Sequence, residues 1–167
     1  MKSNWISKLC LCSLVLLIPL STSAQAQDVG GHFGFVIPLV TRVNGETVTV
    51  SDDFVIGFPF GLGLKVAEKV TFDMEFVPLL NTDPIRTDLL VHPGLIFSLS
   101  KHVALGVRAA WEIDADAVGF TPLINYSIPI NNKASFFAEL DLPIRWRTMA
   151  GETKGSFTVA AHFGIGF

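Results

Sequence analysis

Along Phe157-Thr-Val-Ala-Ala-His-Phe-Gly-Ile-Gly-Phe167, every second residue is apolar. Phe157, Val159, Ala161, Phe163, Ile165 and Phe167 alternate with Thr158, Ala160, His162, Gly164 and Gly166, which are small or polar. A period of two belongs to a β-strand with two unlike faces, and a helix does not produce it. The pattern recurs upstream. Phe136, Ala138, Leu140, Leu142, Ile144 and Trp146 oppose Glu139, Asp141, Arg145 and Arg147. Val103, Leu105, Val107, Ala109, Trp111 and Ile113 oppose Ala104, Gly106, Arg108, Ala110 and Glu112. Val70, Phe72, Met74 and Phe76 oppose Thr71, Asp73 and Glu75, and Phe54, Ile56, Phe58, Phe60, Leu62 and Leu64 oppose Gly57, Gly61 and Gly63.

Eight such runs are readable, at 31–43, 54–65, 69–80, 88–99, 102–113, 118–130, 135–147 and 156–167. Each has about the 9–11 residues that a tilted membrane strand needs, or slightly more. Very short turns at Ala67-Glu68, Ser100-Lys101 and Asn131-Asn132-Lys133 alternate with longer connections at 44–53, 81–87, 114–117 and 148–155. Short turns at one end and longer loops at the other are typical of a transmembrane barrel. The expected fold is all-β: an eight-stranded antiparallel up-and-down transmembrane β-barrel over 27–167. Asn44-Gly45 is a strong hairpin signal and predicts that the first two strands continue outward as a hairpin.

Alternation does not say which face is inside; volume does. An eight-stranded barrel has an interior just wide enough for its own side chains. Some six bulky apolar residues per run would overfill it, whereas glycines, alanines and scattered charges fit. The apolar faces therefore point outward, which lipid tolerates and water does not. Phe120, Trp111, Trp146 and Phe157 would form a belt at the outer interface, and Phe35, Phe60, Phe72, Phe136, Phe163 and Phe167 one at the inner interface.

Half of the residues are hydrophobic, yet no segment after residue 26 approaches 18 uninterrupted apolar residues, which excludes a helical membrane protein. Residues 1–26 read as a secretory signal peptide: Lys2 and Lys8, a mostly apolar stretch from Leu9 to Leu20, then the small-x-small cleavage site Ala24-Gln25-Ala26. Cys10 and Cys12 fall inside it, so the remainder has no disulfide or thiolate chemistry. Fifteen acids and ten bases follow residue 26, a net charge of −5, and no basic nucleic-acid surface is present.

Seven prolines lie within proposed strands: Pro38, Pro59, Pro78, Pro93, Pro122, Pro129 and Pro143. Proline cannot donate to a ladder, so bulges or bends are expected near several of them. An arrangement with Pro38 opposite Pro59 would let one kink serve both.

Read this way, residues 27–167 resemble the small outer-membrane β-barrels of Gram-negative bacteria, of the OmpX type and the OmpA transmembrane-domain type. The resemblance implies residence in the bacterial outer membrane, with outer-membrane lipid and lipopolysaccharide as surroundings. It implies that Phe163, Ile165 and Phe167 form the insertion signal read by the barrel-assembly machinery. The chain is expected to lack the peptidoglycan-binding domain found after some of these barrels. Its outer loops are shorter than those of an adhesin of this kind. Both departures tell against adhesion and cell-wall anchoring.

The inward face carries Asp73, Glu75, Arg108, Glu112, Glu139, Asp141, Arg145 and Arg147. Buried carboxylates can mark an active site. With three arginines as partners, an ion-pair network plugging the lumen is the expected reading, because buried charges must be paired. His32 and His162 fall on neighbouring inward faces, but a metal site needs three or four ligands and no third is evident in the sequence. His92 reads as isolated. Ser98 and Ser127 face inward without an evident His and acid at the same depth. Gly61 and Gly63 follow a strand period and precede no helix, so they form no phosphate loop. No catalytic residue, metal or cofactor is expected. The loops are mostly acidic, with Glu46, Asp52, Asp53, Asp83, Asp114, Asp116 and Glu152, and divalent cations could bridge them to lipopolysaccharide phosphates. The expected function is a non-enzymatic outer-membrane barrel with a structural or surface-interaction role. The alternatives are a narrow pore for small solutes and a lipid-modifying barrel enzyme.

Overall fold

The computed structural model describes residues 28–82, 84–113, 115–149 and 152–167. The expected signal peptide, with Ala24 and Ala26, lies outside the described residues, as do Asp83 and Asp114. Eleven β-segments follow in order: β1 Val29–Val43, β2 Glu46–Thr49, β3 Val55–Gly57, β4 Phe60–Ala67, β5 Val70–Thr82, β6 Ile85–Ser98, β7 Val103–Glu112, β8 Ala117–Pro129, β9 Ser135–Asp141, β10 Ile144–Met149 and β11 Glu152–Gly166. They make eight staves. β3 and β4 form one stave, β9 and β10 another, and β2 folds back on the outer part of β1. Neighbouring staves are antiparallel, and β11 returns to β1 in register from His32↔Gly166 to Val43↔Ser156. The sheet is thus closed, with every wall strand paired on both sides. This is the eight-stranded barrel that the sequence predicts.

The prolines explain where the staves break. The β1–β11 register slips between Pro38 and Val40. Pro59 separates β3 from β4, and Pro143 separates β9 from β10. Their carbonyls still accept across the wall: Gly34 N–H donates to Pro59 O (2.9 Å) and Thr158 N–H to Pro143 O (2.8 Å). Pro78, Pro93, Pro122 and Pro129 instead keep register partners, in Leu89, Met74, Val107 and Ser135. Pro38 pairs with Ala160 while Pro59 lies against Gly34, so the two do not share a kink. The register sets them at different levels, since Val36 pairs with Gly57 and Phe33 with Phe60.

The connections also differ from expectation. Most of 81–87 and 148–155 is strand, since Thr82 pairs with Ile85 and Met149 with Glu152. The long outer connection is the one after β2, before β3 begins at Val55. The hairpin at Asn44-Gly45 forms as read, with φ of +53° and +84° at the two turn residues, as a type I′ turn requires.

Large apolar side chains cover the exterior. Trp111 is 64% exposed, Leu62 64% and Phe60 52%. Trp111, Val118 and Trp146 are register neighbours towards one end, where Phe120 and Trp146 rings lie 5.8 Å apart. Towards the other, Phe60 stacks on Phe76 at 5.6 Å and Phe33 sits 6.3 Å from Phe167. The lumen is less uniformly small and charged than parity indicates. Val77, Leu90 and Ala110 are buried together there, against Val36 and Leu79. Leu123 and Phe137 are buried too. In Val77-Pro-Leu-Leu80 and Phe136-Phe137 both faces are apolar, so alternation hides which residues turn inward.

Candidate functional site in the lumen

β5 presents Asp73 and Glu75 inward, β7 Arg108 and Glu112, β9 Glu139 and Asp141, and β10 Arg145 and Arg147. The two-residue period puts each pair on one face of its strand. Arg108, 2% exposed, lies at the centre. Its Nε donates to Asp73 Oδ2 at 2.7 Å, its Nη1 to Glu139 Oε2 at 2.9 Å, and its Nη2 lies 3.7 Å from Glu75 Oε2. A planar guanidinium with five fixed donors suits this bridging between strands. Asn125 Nδ2 completes Glu139 at 2.9 Å.

A second group surrounds Arg145. Its Nη2 donates to His92 Nε2 and to Thr121 Oγ1, both at 2.9 Å, and its Nη1 to the Phe120 carbonyl at 3.0 Å. Its Nε lies 3.3 Å from Glu112 Oε1, and Arg147 Nη2 donates to Glu112 Oε2 at 3.2 Å. A guanidinium does not give up its proton, so His92 Nε2 must be the acceptor. The His92 proton then sits on Nδ1 and is donated to Glu75 Oε1 at 3.1 Å. His92 is therefore not isolated. It links the Arg145 group to the Arg108 group through Glu75. Its partners come from β5 and β10, 17 and 53 residues away, and no local signal announces them.

His32 and His162 each face two carboxylates. His32 Nε2 is 3.0 Å from Glu75 and its Nδ1 3.7 Å from Asp73. His162 Nδ1 is 3.2 Å from Glu139 and 3.6 Å from Asp141. The two histidines thus do not share one site: His32 joins a trio with Asp73 and Glu75, and His162 a trio with Glu139 and Asp141. Within each trio, one ligand atom per residue lies within 4.8 Å of the others. Gly61 makes room for the His32 ring, since a Cβ there would overlap it. Phe137 packs edge-on to His162 at 5.0 Å and to His32 at 5.8 Å.

This charged belt lies between two cavities. One, of about 500 Å³, is lined by Val36, Val77, Leu79 and Leu90 and reaches Glu75, His92, Asp141, Arg145 and His162. The other, of about 530 Å³, opens at the short-turn end and reaches His32, Asp73, Arg108 and Glu139. Ser127 Oγ donates to Asn125 Oδ1 at 2.8 Å, and Ser98 is exposed at the same end. Neither hydroxyl is hydrogen-bonded to a histidine or an acid among the described residues; His102 Nδ1 donates to the Ser127 backbone carbonyl instead, at 2.9 Å. Phe163 and Phe167 on the β11 stave face outward, with Ile165 partly exposed between them. Outside the wall, the Thr49 hydroxyl (2.7 Å) and N–H (2.9 Å) donate to Asp52 and hold its carboxyl below the usual range.

No family model matches the sequence, and no curated protein matches it. Solved structures of similar form exist. The de novo designed TMB2.3 shares 8% identity at a TM-score of 0.47, over 87% of this chain and 97% of that one. Ail, the attachment invasion locus protein of Yersinia pestis, shares 10% identity at 0.46, over 86% and 100%. The outer membrane protein OprG from Pseudomonas aeruginosa shares 10% at 0.44, over 85% and 95%. At such identities and scores no role passes from them to this chain.

Proposed function

We propose that this protein is an integral barrel of a bacterial outer membrane, non-enzymatic, with a structural or surface-contact role and a lumen plugged by its charged belt. The observation that carries the reading is the belt itself: Arg108, Arg145 and their carboxylates are buried across the barrel between its two cavities. An exterior with Trp111, Leu62 and Phe60 more than half exposed supports lipid as the surrounding medium. A closed barrel meets the requirement that a membrane-spanning backbone satisfy its own hydrogen bonds. The expected partners are lipid and lipopolysaccharide, with Glu46, Asp52, Asp53, Asp116 and Glu152 available to divalent cations bridging to its phosphates. The outward face of β11, with Phe163, Ile165 and Phe167, is the segment offered to the assembly machinery.

The rival reading, a narrow pore, is favoured by the cavity at each end. Planar-bilayer recording of the purified protein decides between them. No steady conductance is expected; a steady unitary conductance would overturn the plug. An enzymatic role in lipid modification would instead appear as a changed lipid A mass profile when the protein is present.

A further inference from the structure

The belt has an electrostatic problem that its arginines do not solve. Asp73, Glu75, Glu112, Glu139 and Asp141 supply five carboxylates, and Arg108, Arg145 and Arg147 supply three guanidiniums. Two negative charges are left over in a region where most of these groups are less than a tenth exposed. His92 accepts from Arg145 and so adds no charge. Such an excess is balanced by protons taken up within the belt or by a bound cation. Uncompensated buried charge is too costly to persist.

We propose that Glu139, Asp141 and His162 bind one divalent transition-metal ion of the zinc class, at the boundary between the two cavities, one reaching Asp141 and His162 and the other Glu139. The three ligands stand on two paired strands. His162 is the register partner of Glu139, and Asp141 lies two residues along the same face. The backbone therefore fixes their spacing. A tetrahedral ion with ligand arms of about 2.1 Å needs ligand atoms about 3.4 Å apart. His162 Nδ1 lies 3.2 Å from Glu139 Oε2 and 3.6 Å from Asp141 Oδ2, on either side of that value.

A second observation singles out this trio. Asp141, 5% exposed, has its Oδ1 buried without a hydrogen-bond partner among the described residues, and so does His162 at Nε2. Leaving such atoms unsatisfied is expensive, and a metal-bound water from the cavity would give Asp141 Oδ1 a donor. The other trio does not share this feature. Asp73 is engaged by Arg108 at 2.7 Å and Glu75 by both His32 and His92. Arg108 also holds Glu139, which fixes the carboxylate's orientation while lowering its attraction for a cation. A soft, nitrogen-accepting ion is thus favoured over calcium or magnesium, which prefer six or more oxygens.

The test is zinc titration of the purified, detergent-folded protein by calorimetry in two buffers of different ionisation enthalpy, with Asp141→Asn and His162→Gln alongside. One zinc per barrel is expected, and the two buffers report whatever protons the ion displaces from the trio on binding. Both variants should lose more than tenfold in affinity while keeping the parent's circular dichroism. The parent also decides alone, should a variant fail to fold. Paramagnetic Co²⁺ should broaden amide signals of β9 and β11 around Glu139 and His162. Absence of saturable zinc binding, unchanged affinity in both folded variants, or broadening centred elsewhere would each overturn the site.

Discussion

Arg108 is the residue on which the lumen turns, because it is the one guanidinium shared by Asp73 and Glu139 on strands from opposite parts of the barrel. Arg108→Ala leaves both acids buried without it, and breaking such a pair from one side costs about 3–5 kcal/mol. The variant should unfold at lower urea and lose its heat-modified gel shift at a lower temperature. A variant that melts like the parent would mean that the belt does not hold the staves. Arg108 was legible in the sequence because it stands among Ala104, Gly106 and Ala110 on an inward face, and its acids because the period of two puts Asp73 with Glu75, and Glu139 with Asp141, opposite apolar neighbours. The histidines were legible only in part. Parity turns His32 and His162 inward, but their carboxylate partners sit on strands that only the closed register brings near. His92 gave no sign at all, since its role depends on Arg145 three staves away.

At the scale of the element, sequence reads turns and faces well and ends poorly. Asn44-Gly45 specifies its hairpin because both residues must take positive φ, which few others tolerate. Gly45→Val forces a β-branched side chain into that region, at a cost of more than about 1 kcal/mol. Amide exchange should accelerate across Val40–Thr49, while the barrel's melting stays as in the parent, because β2 pairs only with the outer part of β1. Global destabilisation would show that β2 supports the wall formed by β1 and β11. The stretches 81–87 and 148–155 read as loops because acids, threonines and glycine interrupt their alternation. They pair nonetheless, since each continues a hairpin already in register. The prolines also acted selectively. Pro59 and Pro143 interrupt their strands, whereas Pro78 and Pro122 stay within theirs, where their carbonyls accept from Phe58 and Leu142 across the gaps. The sequence contains the prolines but not the neighbour that each one faces.

At the scale of the whole molecule, the question is what surrounds the barrel, and the answer rests on volume. The lumen holds a belt of charge, the Val77 cluster, and Phe137 with Leu123, and has no room for the residues that cover the outside. Those residues meet lipid or water, and the two media make different predictions for a charge placed among them. Leu140 is 44% exposed on β9 in the middle of its stave, and Val118 is 55% exposed at the start of β8, beside Trp111 and Trp146. In water, an arginine at either position would be almost neutral, since both point away from the lumen. In a bilayer, Leu140→Arg should cost about 2–4 kcal/mol of folding stability and Val118→Arg no more than about 1, because the penalty peaks at the midplane and fades at the interface. Urea titrations in lipid vesicles measure both. The difference between the two variants carries the argument, because it depends on depth alone: equal costs would remove the bilayer from the account of this fold, and a graded cost would fix the midplane near the level of Leu140.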